Sequence, residues 1–134
     1  MLTDTAAAIG SPRETLMRIR IIAADRTLTA VLDDNETARD FASLLPLTLT
    51  LEDFNRTEKI ADLPRKLSTA GAPPGADPKV GDIAYYAPWG NLALFYRDFS
   101  YSRDLVRLGR LEGDPQGLAE LGAAPARVEI ITED

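Results

Sequence analysis

The sequence of 134 residues contains no cysteine and no histidine. Without cysteine there is no disulfide, thiolate nucleophile or redox pair. Without histidine there is no Ser-His-Asp triad and no imidazole base or metal ligand. No apolar stretch approaches the roughly 20 residues of a membrane span, so no membrane partner is expected. Basic residues are in the minority: 15 Lys and Arg stand against 21 Asp and Glu, a formal charge of −6. An acidic balance argues against nucleic acid, whose usual footprint is a basic face. Arg103, Arg107 and Arg110 lie close together, but Asp104, Glu112 and Asp114 interrupt them, which reads as a solvated mixed surface. No catalytic constellation, cofactor motif or metal cluster is expected. Gly71 and Gly75 lack the Gly-Lys-Ser/Thr ending of a phosphate loop. In a strand, the two carboxylates of Asp33-Asp34, and those of Glu52-Asp53, point oppositely, which makes each pair a poor metal clamp.

What is present is the composition of one folded domain, 45% hydrophobic and 27% charged, long enough to bury a core without staples. The first ten residues carry no Lys or Arg and only a weak apolar run from Ala6 to Ile9, unlike a secretory signal. A cytoplasmic location is the expectation. Residues 1–15 lack periodicity and read as a disordered or extended tail, with 16–134 as the domain. Met17, where pattern begins, is a candidate functional start.

Met17 to Ile21 alternates apolar and basic residues, the mark of a strand with one buried face. Leu28, Ala30 and Leu32 continue it as a second strand after a turn at 24–26. Asn35 and Glu36 give a helix-start signal. Ala38, Phe41, Ala42 and Leu45 follow at helical spacing up to Pro46, which predicts an amphipathic helix over about 36–45. Leu47 to Glu52 alternates cleanly, and residues 55–59 turn polar. Residues 71–78 hold three prolines and two glycines and read as loop. Further strands are expected over 83–86, 92–97, 105–111 and 127–131, with Gly109 marking a bulge. A short helix is expected over about 115–121. About seven short strands with turn signals predict a mainly β, single closed antiparallel barrel or a sandwich.

Several spaced segments agree in order with one family: 81–98 (GDIAYYAPWGNLALFYRD), Asn35 to Phe41, Leu44 to Leu49, and Leu105 to Arg110. Over about 17–131 the chain resembles the small prokaryotic cyclophilin-like proteins of uncharacterised function. The resemblance implies a compact antiparallel β-barrel closed by a helix. True cyclophilins are peptidyl-prolyl isomerases whose proline pocket uses an arginine, aromatics, a glutamine and often a histidine. Here Phe95-Tyr96-Arg97 only loosely matches their Phe-His-Arg, and no Gln-Gly-Gly-Asp follows. No catalytic position carries over.

Seven of the nine aromatics fall between residues 85 and 101. They either fill the barrel core or line a ligand pocket. Arg97 beside Asp98, and Arg103 beside Asp104, are either structural ion pairs or carboxylate-orienting groups. Glu58 is either an exposed partner of Lys59 or, if buried near an aromatic, a general acid or base. The expected site has Tyr85, Phe95 and Arg97 on one wall, Trp89 and Tyr101 at the rim, and Glu58 opposite. This pattern favours a non-catalytic binding module for a small molecule or short peptide. The alternatives are a weak prolyl isomerase using Arg97, or a structural protein-interaction domain. Oligomeric state has no signature in the sequence.

Overall fold

The computed structural model describes residues 17–24 and 26–131. The expected tail over 1–15 lies outside them. The chain runs β1 (Met17–Ala23), β2 (Arg26–Leu32), α1 (Glu36–Ala42), β3 (Leu47–Phe54), β4 (Glu58–Asp62) and β5 (Gly75–Ala76). It continues with β6 (Asp82–Tyr86), β7 (Asn91–Phe95), β8 (Ser102–Arg103), β9 (Leu105–Glu112), α2 (Gln116–Ala119) and β10 (Ala124–Ile130).

Eight strands close into an antiparallel barrel in the order β9-β2-β1-β10-β3-β4-β7-β6, with β6 pairing back onto β9. The two-residue strands β5 and β8 pair separately. Closure leaves no free edge among the barrel strands. The alternation in β1 works as expected: Ile19, Ile21 and Ala23 are buried. Leu49 and Leu51 do the same from β3, and Ala126 and Val128 from β10.

Asn35 caps α1 by accepting from the Ala38 N–H at 2.8 Å. Ala38, Phe41 and Ala42 then join the barrel core. The helix is shorter than its stripe, because the backbone leaves helical pairing at Ser43 and Leu45 is only half-buried. The segment after β4 is tied back to α1. Arg65 grips both carboxylate oxygens of Asp40 at 2.8 and 3.0 Å, and the Ser68 N–H adds a third bond at 2.8 Å. These contacts hold Asp40 down to a pKa of about 2, the Arg65 hydrogen bond being the largest cause. One residue before Ser68, the Leu67 N–H donates to the Tyr85 hydroxyl at 3.0 Å inside the core.

The bulge expected at Gly109 is present, as a register shift between Arg107 and Gly109 against β6. A Cβ there would lie 2.2 Å from the Val31 carbonyl oxygen and 2.8 Å from the Leu32 Cα, so only glycine lets β9 approach β2 this closely. Two expectations need correction. Residues 55–59 are not all turn, since β4 begins at Glu58. The strand expected over 92–97 ends at Phe95.

Candidate functional site

The hairpin β6–β7 is buried on both faces, which one barrel wall does not require. Its register pairs Tyr85 with Leu92, Ala84 with Ala93 and Tyr86 with Asn91. Ile83, Tyr85, Leu92 and Leu94 therefore point into the barrel, where they join the main core. Ala84, Ala93 and Phe95 point outward and form a second cluster with Leu105, against which Ile60, Tyr86 and Ala76 pack. The cover comes from the loop strands β5 and β8. Gly75 of β5 sits so tightly on the chain at 101–102 that a Cβ would fall 2.5 Å from the Ser102 carbonyl oxygen and 2.6 Å from the Tyr101 hydroxyl.

Beside this cover the outer face holds a groove of about 480 Å³, within the size range of ligand clefts. Asn91, Phe95, Leu105 and Ile60 line its inner part. Phe54, Tyr86 and Trp89 line it as one group of touching rings, and Phe99, Ser102, Arg103 and Asp104 add the 99–104 loop to the lining. The Trp89 indole meets Phe54 and Tyr86 edge-on, with centroids 5.5 Å apart in both pairs, an arrangement that favours aromatic contact. It is still 57% exposed.

Glu58 faces the groove from the start of β4, opposite Phe95. Burial, and then the negative charge of Asp53, push its carboxyl up to about 7. Lys59 is not its partner. Successive strand residues point oppositely, and Lys59 turns inward, 3% exposed. There it donates to the Leu121 carbonyl, stands 3.4 Å from Asp53 and lies under the Tyr96 ring at 5.7 Å. The Tyr96 hydroxyl donates to Asp53. That bond is the main reason the Asp53 carboxyl is held below its ordinary value, and burial with Asp53 lifts the Tyr96 phenol to about 12.

Asn91 is 3% exposed, and its side-chain carbonyl oxygen has no hydrogen-bond partner among the described residues. It belongs to the groove lining. An orphaned acceptor of this kind costs about 1–3 kcal/mol when nothing donates to it.

Of the six expected site residues, the structure brings Glu58, Trp89 and Phe95 together. Tyr85 is a correction: it faces the barrel interior, across the sheet from Phe95. The physical cause is the even, four-residue connection 87–90, which pairs odd positions of β6 with even positions of β7. Arg97 is also corrected. It follows the end of β7 as an exposed bend residue outside the groove lining. Its neighbour Asp98 accepts instead from the Val80 N–H at 2.8 Å. Tyr101 is exposed and lies against Gly75 without lining the groove. Tyr86, Phe99 and Arg103, candidates outside the six, also line the groove, and Phe54 and Asn91 line it without having been expected to. Among the described residues no three acidic side chains gather as metal ligands, and no helix is long and apolar enough to cross a membrane.

A closed eight-stranded barrel with a capped helix joined to its core is the architecture the sequence resemblance implies. A sequence profile of the cyclophilin-like family matches residues 21–132. The chain belongs to the cyclophilin-like family. Its barrel is similar to the solution structure of a hypothetical protein from Archaeoglobus fulgidus, at 22% identity and a TM-score of 0.62. The match covers 86% of this cyclophilin-like chain and 95% of the archaeal one, and at that identity it speaks for the fold. Comparison with curated proteins gives no match. In this family member the groove lies on the outer face of the barrel, over β4, β7 and β6, rather than in its filled interior.

Proposed function

We propose that this cyclophilin-like protein is a binding module whose outer-face groove takes a small molecule or a short peptide segment. The observation that carries this reading is Asn91, a buried amide whose carbonyl oxygen has no partner among the described residues and which lines an aromatic cleft. A core built only for packing places a satisfied or apolar side chain there. A ligand N–H or O–H arriving between Phe95, Tyr86 and Trp89 satisfies the oxygen while its apolar body covers the rings. The reading includes a cytoplasmic location, in keeping with the absence of cysteine.

The test is an amide-resolved NMR titration with a fragment library and with a proline-containing tetrapeptide. Shifts concentrated at the Asn91 side-chain amide, the Trp89 indole N–H and the Leu105 amide are expected. A library that shifts none of these, or only distant residues, refutes the reading. Isomerisation of the tetrapeptide is followed in the same samples. Its uncatalysed rate is slow, about tens to hundreds of seconds. Acceleration that disappears when Trp89 is replaced by alanine would replace the binding-module reading with the isomerase one.

A further inference from the structure

The chemistry of the groove narrows its ligand further. The lining includes the aromatic residues Phe54, Tyr86, Trp89 and Phe95, the acid Glu58, and Asn91, whose buried carbonyl oxygen has no partner among the described residues. All of these are electron-rich. The charged donor of the lining, Arg103, is exposed at the rim, and Asp104 beside it also lines the groove, so the rim carries one charge of each sign. Aromatic faces attract cations, a carboxylate forms its strongest hydrogen bonds with charged donors, and the whole chain carries −6, which favours cations at long range.

Building on the binding-groove reading, we infer that the ligand is an arylalkylammonium. Its N–H donors meet the Glu58 carboxylate, its ring packs among Tyr86, Trp89 and Phe95, and a second donor reaches the Asn91 oxygen. The charge that acts on Glu58 is that of Asp53 from β3, and the other charged residues that line the groove with it are Arg103 and Asp104. Lys59 is turned inward and committed to Asp53 and Leu121. The carboxyl is partly protonated near neutral pH, because burial and Asp53 raise it to about 7. An ammonium group does not titrate in that range. Binding therefore strengthens as pH rises and Glu58 ionises.

Three probes share a phenol and differ in the head group: tyramine (cationic), tyrosol (neutral) and 3-(4-hydroxyphenyl)propanoate (anionic). Calorimetry is run with each at pH 6 and pH 8 on the full chain, on Glu58→Gln and on Trp89→Ala. Tyramine is expected to bind about tenfold tighter than tyrosol at pH 8, with the anion weakest. Its affinity should rise about tenfold from pH 6 to pH 8, following the ionised fraction of Glu58. Glu58→Gln should remove both the preference and the pH dependence, while Trp89→Ala should weaken tyramine and tyrosol alike. Tyrosol or the propanoate binding as tightly as tyramine overturns the cation inference and leaves the groove reading intact. Silence from all three, while library fragments still bind at Asn91 and Trp89, also overturns the inference alone. Silence from the library as well overturns both.

Discussion

Glu58→Gln is the substitution whose effect on stability follows most directly from the geometry. The carboxyl moves from an ordinary value of 4.5 to about 7 on folding, because burial and the Asp53 charge both oppose its ionisation. A raised folded pKa means that the folded state holds its proton more tightly than the unfolded chain. The stabilising effect is fully present below about 4.5 and is lost as pH rises through about 7. For a fully desolvated group, a move from 4.5 to about 7 corresponds to about 3.4 kcal/mol. Glu58 is only half-buried, so solvent screening reduces this, and about 1–2 kcal/mol is the working figure. Glutamine keeps the shape and removes the charge. Urea unfolding of both proteins at pH 4.5, 6 and 8 isolates the effect, because every other titrating group cancels in the difference. Glu58→Gln should be about as stable as the parent at pH 4.5 and about 1–2 kcal/mol more stable at pH 8. A difference that does not change with pH, or a variant less stable at pH 8, would show that Glu58 is not held in a desolvated, negatively charged corner of the groove.

Other substitutions probe the scaffold beneath the groove. Phe41→Ala removes a buried aromatic from α1 and should cost about 3–5 kcal/mol in urea unfolding; an unchanged midpoint means that α1 is not docked on the barrel. Tyr85→Phe leaves the buried Leu67 N–H without its acceptor and should cost about 1–3 kcal/mol, with faster amide exchange at Leu67 as the local signature. Arg65→Ala removes the largest cause of the low Asp40 pKa. The Asp40 carboxyl should then titrate closer to 3.8 in a side-chain NMR titration. The sign is the reverse of that for Glu58: Asp40 stabilises the fold above about 3.8 and loses that effect toward pH 2. The variant should therefore show a flatter stability curve over that interval.

Much of the barrel is legible in the sequence because most of its strands are buried on one face only. Met17 to Ile21 and Leu47 to Leu51 alternate at period two, and such a pattern has one solution against a core. Asn35 and the Ala38-Phe41-Ala42 stripe are equally local, and α1 forms where they place it. β4 escapes the same reasoning. Its first residues Glu58 and Lys59 look like the end of the polar turn over 55–59, because the groups that satisfy Lys59 come from Asp53 and from Leu121, 62 residues away along the chain. A charged residue facing inward is acceptable only when such partners exist, and the local sequence does not show them.

The groove was half visible for a related reason. The density of aromatics over 85–101 points to the right hairpin, but which of them share a face depends on the parity of one connection. With residues 87–90 linking Tyr86 to Asn91 across the ladder, odd and even positions meet, and Tyr85 and Phe95 separate to opposite sides. The sequence still held a clue. Residues 83–85 and 92–95 are apolar at every position rather than at every second one, a pattern of strands covered on both faces. In a barrel, one of those faces is the interior. The other must be covered by chain from outside, here the 74–78 and 99–104 loops carrying β5 and β8. Because a cover made of loops does not seal a sheet as a second sheet does, a cleft beside it is the natural consequence. Asn91 makes the same point from the polar side. It sits in an otherwise apolar strand where its amide has no place in a packed core, and it becomes intelligible once the outer face of β7 is recognised as the inner wall of a groove.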